Sequence, residues 1–85
     1  MPVTAPVRAF DVRVNEFDGK LLLVRRLDAY ELADVEAAIW SACDGEHSVQ
    51  QIVDVVVGRY DVDAETAERD VVAFLAQLTD AGLLE

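Results

Sequence analysis

With 85 residues, 53% of them hydrophobic, the chain is one small domain with enough apolar content for a core, and it is not a disordered chain. A single cysteine, Cys43, and a single histidine, His47, exclude an internal disulfide and leave too few Cys and His ligands for a structural zinc. A net charge of −10 disfavours unassisted binding to nucleic acid, because attraction to phosphate supplies most nonspecific affinity.

The charge is unevenly placed. Residues 1–26 carry Arg8, Arg13, Lys20, Arg25 and Arg26 against three acids, a balance of +2; residues 27–85 carry Arg59 and Arg69 against fourteen acids, a balance of −12. Such an acidic half suits either a solvated surface or a face that meets basic peptide. The start, Met1 to Pro6, lacks the basic and apolar regions of a signal peptide, and no apolar run nears the roughly 18 residues of a membrane span. Together with the lone thiol, this predicts a reducing, bacterial cytoplasm and no membrane partner. Pro2 and Pro6 mark residues 1–6 as a flexible N-terminal segment ahead of a domain over 7–85.

In chain order, Phe10, Val12 and Val14 alternate with Asp11 and Arg13, the period-2 pattern of a half-buried strand. Asp18-Gly19 signals a hairpin. Lys20 to Arg26 holds Leu21, Leu22, Leu23 and Val24 and reads as a strand buried on both faces or nearly so. A short third strand is predicted over Ala29 to Leu32. Asp34 is positioned to cap a helix over 34–44 with Val35, Ala38, Ile39, Ala42 and Cys43 on one face, stopped by Asp44-Gly45. Ser48 and Gln51 form a capping box for a second helix over 48–59, so the β-branched run Val53 to Val57 reads as helix. Asp61 or Asp63 opens a third helix over 64–81, whose core stripe is Ala67, Val71, Phe74, Leu75 and Leu78. Gly82 ends it, with Leu83 folding back. Strands followed by helices make an α+β fold, a three-stranded antiparallel sheet and then three helices, resembling a winged helix-turn-helix.

Catalytic signals fail one at a time. Cys43 lies on an apolar helix face and reads as a buried structural thiol. His47 reads as a solvated loop residue, Trp40 as core, and Tyr30 and Tyr60 as flanking residues with wet hydroxyls. There is no Gly-rich phosphate loop and no ligand-spaced Cys or His pair, so no metal, no cofactor and no enzymatic activity are expected. An acyl carrier protein needs a serine at a helix N-terminus in the right context, and neither Ser41 nor Ser48 fits. A winged-helix DNA reader needs basic residues on its recognition helix, where this chain offers only Arg59 and Arg69 among acids.

The helical half carries an ordered pattern: Ile39-Trp40, Asp44-Gly45, Val49 with Ile52-Val53, Tyr60-Asp61-Val62-Asp63, Asp70-Val71, Phe74-Leu75, Leu78, and Gly82-Leu83-Leu84. With the strand pair Leu21 to Val24 and Tyr30-Glu31-Leu32, it resembles the PqqD-like family, or RiPP recognition element, from about Lys20 to the C-terminus. Ala33 departs from the asparagine often found there. The resemblance implies a protein that binds the leader of a ribosomally made precursor peptide. The leader adds as a strand to the open edge of the third strand, its apolar side chains entering a groove beside the third helix. It also implies a modifying partner, a radical-SAM enzyme or a leader protease. The competing reading is a winged-helix protein-interaction or regulatory subunit without leader binding. On the third helix the stripe Leu75, Glu68, Thr79 and Val72 flanks the core arc. With Ala29, Tyr30, Glu31 and Leu32 opposite, it is the expected peptide site.

Overall fold

The computed structural model describes residues 5–85. Three strands, β1 (Arg13–Phe17), β2 (Lys20–Arg25) and β3 (Asp28–Leu32), form one antiparallel sheet in the order β1-β2-β3. Three helices follow, α1 (Asp34–Ala42), α2 (Val49–Arg59) and α3 (Ala64–Asp80). The α+β expectation of a sheet and then three helices is met, each helix within two residues of its predicted bounds. Residues 1–4, most of the segment expected to be flexible, lie outside the described residues. Pro6, assigned to that segment, is held: its carbonyl accepts from the Gly45 amide at 2.9 Å.

Local chemistry explains most of the elements. Asp18 and Gly19 both take positive φ, 55° and 78°, as a two-residue hairpin turn that matches strand twist requires. The Ser48 hydroxyl accepts from the Gln51 amide at 3.1 Å while the Gln51 side chain accepts from the Ser48 amide at 2.8 Å, closing the capping box. At the end of α3, Gly82 at φ 77° lets its amide donate to Thr79 and the Leu83 amide donate to Leu78, the two bonds of a Schellman motif. Leu83 is thereby folded into the core. Asp63 is the N-cap of α3.

Three expectations are corrected. The N-cap of α1 is Ala33, not Asp34, which is the first helical residue; alanine has no acceptor, and Glu36 supplies the cap by accepting from the Ala33 amide at 2.9 Å. Phe10 lies outside β1 and is 92% exposed. The Arg8 and Ala9 amides are tied to the Cys43 and Leu83 carbonyls, so the chain leaves that seam in a turn at residues 10–11 that points Phe10 at water. Only Leu23 of β2 is fully buried, because helices cover one face of the sheet and the other is open. His47 is in the loop as expected, its side chain 41% exposed, and its ring contacts the Asp44 carboxylate at 3.0 Å.

The core gathers Leu23 and Leu32 from the sheet, Ile39, Trp40 and Cys43 from the end of α1, Ile52, Val53 and Val56 from α2, and Ala67, Val71, Phe74, Leu75 and Leu78 from α3. Trp40 is 3% exposed, so the core assignment holds. The Tyr60 hydroxyl, expected to be wet, donates to the Asp34 carbonyl at 3.1 Å and joins the end of α2 to the start of α1. Burial pushes the Cys43 thiol up to about 11, and its hydrogen donates to the Ile39 carbonyl. Since the thiolate is the reactive form, Cys43 is expected to resist iodoacetamide in the native protein at mildly alkaline pH and to react promptly in denaturant. Equal rates in both conditions, read by mass spectrometry, would contradict the packing.

The turn after α1 is organised by one carboxylate. Asp44 accepts from the His47 ring and from the Glu46 and His47 amides, which holds its pKa down at about 2. A carboxyl depressed on folding contributes stability above its ordinary pKa and loses it as pH falls through the folded value. The expected loss therefore lies between about pH 4 and pH 2. Asp44→Asn should flatten that part of the stability–pH profile in chemical denaturation; an unchanged profile would assign acid sensitivity elsewhere.

Candidate functional site

β3 is an edge strand. Its two-residue hairpin closes on the pair Arg25–Asp28, and the register runs through Val24–Ala29, Leu23–Tyr30, Leu22–Glu31 and Leu21–Leu32. In an antiparallel ladder the closing pair exchanges both bonds and the pattern then alternates. Asp28, Tyr30 and Leu32 are therefore bonded to β2, while the amides and carbonyls of Ala29 and Glu31 point outward. This unpaired backbone is a template for another strand. The edge ends at Ala33, whose amide is already taken by Glu36.

Beside this edge lies a groove. One hollow, of about 230 Å³, has Tyr30 and Leu32 on the strand side, Phe74, Gln77, Leu78 and Ala81 on the α3 side, and Leu83 between them. It continues into a second, of about 330 Å³, between Ala33, Val35 and Glu36 at the start of α1 and Asp70, Ala73 and Phe74 of α3. Phe74, Gln77 and Glu36 line both. The faces follow from the pleat: Tyr30 and Leu32 share the side of the sheet that carries the buried Leu23, and Ala29 and Glu31 the other. Glu31 pairs with Lys20 across the exposed outer face at 3.4 Å.

Of the residues expected at the site, the structure brings Tyr30 and Leu32 to the groove, and Ala29 and Glu31 to the open edge, with the Glu31 side chain on the outer face. It does not bring Glu68, Val72, Leu75 or Thr79 there. Leu75 is in the core. Glu68 and Val72, the latter 50% exposed, line a shallow surface with Glu65, Arg69 and Ala73. The Thr79 hydroxyl is turned back onto the Leu75 carbonyl at 2.9 Å. At about 100° per residue, Val72 stands roughly 140° round the helix from Gln77. Sequence reasoning missed Ala73, Gln77, Ala81, Glu36 and Asp70 as lining residues. Phe74 was assigned only to the core, and at 8% exposure it serves both core and groove. The one available signal was the small size of Ala73 and Ala81, which leaves room beside the core stripe.

Among the described residues no three His, Cys, Asp or Glu side chains stand together as metal ligands would, and no helix is long and apolar enough to cross a membrane. An open strand edge beside a groove is the geometry that strand-addition sites use. The family model for coenzyme PQQ synthesis protein D (PqqD) matches residues 21–84, and the chain belongs to this family. It is 30% identical over 78 residues, 92% of its own length, to the bifunctional coenzyme PQQ synthesis protein C/D of Methylorubrum extorquens, of which it spans 21%. PqqA binding proteins of Rhodopseudomonas palustris are 39% identical over 51 residues, 60% of this chain, and the match spans half of their length. Among solved structures, TbiB1 in complex with the TbiA(beta) leader peptide superposes with a TM-score of 0.82 at 30% identity, over 93% of this chain and 94% of that one. The PqqD truncation of Methylobacterium extorquens PqqCD, a stand-alone RiPP recognition element, superposes at 0.78 with 28% identity, over 94% and 87%. Lasso peptide synthetase B1 shares the fold, with a TM-score of 0.85 at 21% identity, over 96% and 99%.

Proposed function

We propose that this chain is a non-catalytic recognition element that binds the leader of a ribosomally synthesised precursor peptide and presents it to a modifying enzyme. The observation that carries this reading is the unpaired edge of β3 standing over the groove to α3. Main-chain bonds from Ala29 and Glu31 supply affinity for any extended chain. Alternate side chains of the bound strand enter the groove between Tyr30, Leu32, Phe74, Gln77 and Ala81 and supply selection. The support from relatives is that TbiB1 holds a leader peptide and that the R. palustris proteins bind PqqA. The partner that acts on the bound peptide is a radical-SAM enzyme or a leader protease, and the setting is the bacterial cytoplasm.

Titrating a candidate leader peptide while following amide hydrogen exchange tests the proposal. The Ala29 and Glu31 amides should exchange fast in the free protein and become protected at saturation, while the amides of β1 do not change. Saturable binding that leaves the β3 edge unprotected would move the site elsewhere and sink the strand-addition reading.

A further inference from the structure

Two large apolar side chains stand almost wholly in water at one end of the β3 edge. Leu27, in the turn between β2 and β3, is 101% exposed and Phe10 is 92% exposed, more than any other large hydrophobic among the described residues. Phe10 lies between Ala9, whose amide donates to the Leu83 carbonyl at 2.9 Å, and Asp11, whose carboxylate meets the Arg25 guanidinium at 3.3 Å. It is thus held out from backbone that is anchored on both sides. Leu27 follows two residues after the same arginine, and Asp11 and Arg26, the chain neighbours of the two side chains, line one hollow. The turn that carries Leu27 is not composed for stability. Arg26 takes φ 58°, which glycine would adopt more cheaply, whereas the Asp18-Gly19 turn has residues suited to its angles. One exposed leucine is ordinary on a protein surface. Two such side chains grouped on anchored backbone, at the end of an open strand, mark an interaction site.

The direction of a bound strand says what meets them. In the favoured antiparallel pairing, a strand added to β3 runs from the Leu32 end towards the Asp28 end. Leu27 comes immediately before Asp28, so the peptide leaves β3 beside it. A leader precedes the segment of the precursor that is modified, and that segment therefore emerges at Phe10 and Leu27. From this juxtaposition we infer that Phe10 and Leu27 are the docking point for the enzyme that acts on the bound precursor, which covers them with an apolar recess of its own. A second copy of the chain is the poorer occupant. An aromatic side chain buries about 150–250 Å², so two copies meeting through these residues fall short of the roughly 1,200–2,000 Å² of a stable interface. The enzyme needs less, because it also holds the emerging precursor, and that shared chain raises the effective concentration of one protein at the other. The inference rests on the strand-addition reading and adds to it the surface that receives the second partner.

The test measures leader and enzyme separately. The double variant Phe10→Ser/Leu27→Ser is compared with the unaltered chain and with Val72→Ser, which removes an exposed valine from the far flank of α3. Each protein is titrated with the leader peptide alone. Each is then titrated, with the full-length precursor bound, against the purified radical-SAM enzyme or leader protease that processes that precursor, and turnover is read by mass spectrometry. The double variant is expected to stay folded and to bind the leader as the unaltered chain does. It should lose affinity for the enzyme by about tenfold or more, since burying even one such side chain is worth at least a factor of ten. Turnover at limiting enzyme should fall with it and recover as the enzyme is raised, and Val72→Ser should match the unaltered chain. Undiminished enzyme affinity in the double variant, or an equal loss in Val72→Ser, overturns this inference and leaves strand addition standing. A loss of leader affinity in the double variant assigns Phe10 and Leu27 to the peptide, and a dimer that the double variant dissolves while enzyme affinity is kept assigns them to a second copy; either result overturns the inference. An unaltered chain that binds no leader overturns this inference and strand addition together.

Discussion

Trp40→Ala is expected to destabilise the protein by about 3–5 kcal/mol, the range for removing a large aromatic from a packed core. Trp40 is 3% exposed on α1 and lies among Ile39, Cys43 and the buried residues of α2 and α3. Native domains hold about 0.05–0.15 kcal/mol per residue, which for a chain of this length is roughly 4–13 kcal/mol. The cavity left by an indole is therefore comparable with the whole stability, and no disulfide is available to offset it. Urea denaturation followed by far-ultraviolet circular dichroism should show the midpoint collapse, with much of the variant unfolded in buffer at 37 °C. Trp40→Phe, which refills most of the volume, should recover a good part of the loss. A Trp40→Ala protein with a near-native midpoint would mean that the indole is not part of the core.

Glu31→Pro is expected to weaken leader binding by tenfold or more while leaving the fold intact, a cost of at least about 1.4 kcal/mol. Proline removes the amide hydrogen and places a ring where a partner strand would approach. At a central strand this would break the sheet. On the edge of β3 the Glu31 amide points away from β2, and proline is tolerated at such a position. The lost Lys20–Glu31 ion pair is solvent-exposed and contributes about 0–1 kcal/mol. Glu31→Ala is the companion variant, since it removes that ion pair and keeps the amide; it should bind almost normally. Val72→Glu probes the other flank of α3 and should leave affinity unchanged. Calorimetric titration with the same leader reads all three. A folded Glu31→Pro protein that binds at full affinity would exclude pairing at this edge, and a loss confined to Val72→Glu would relocate the site to the surface shared with Glu68.

Features decided within a few residues were legible from the chain alone. The Asp18-Gly19 hairpin, the Ser48–Gln51 box and the return of Leu83 after Gly82 depend on torsion angles and short hydrogen bonds that neighbouring residues settle between themselves. The spacing of Ala67, Val71, Phe74 and Leu78 likewise named the buried arc of α3 before any partner for it was known. Even the cap of α1, assigned one residue late, was missed only because Glu36 does for Ala33 what an alanine cannot do for itself.

What the tertiary structure alone decided was which elements meet. A helical wheel is symmetric about its core stripe, so the flank with Val72 and the flank with Gln77 were equivalent until β3 was set beside one of them. The more apolar flank was the natural expectation, yet the groove took Gln77, Ala73 and Ala81, whose small or polar side chains leave space where Val72 would not be needed. The seam that ties Pro6 to Gly45, Arg8 to Cys43, and Ala9 to Leu83 was equally invisible. It joins residues that lie from 35 to 74 positions apart, through backbone groups that no side-chain pattern announces. By drawing the chain across the ends of α1 and α3 before β1 begins, that seam also turns Phe10 out to solvent, against its place in an alternating apolar pattern.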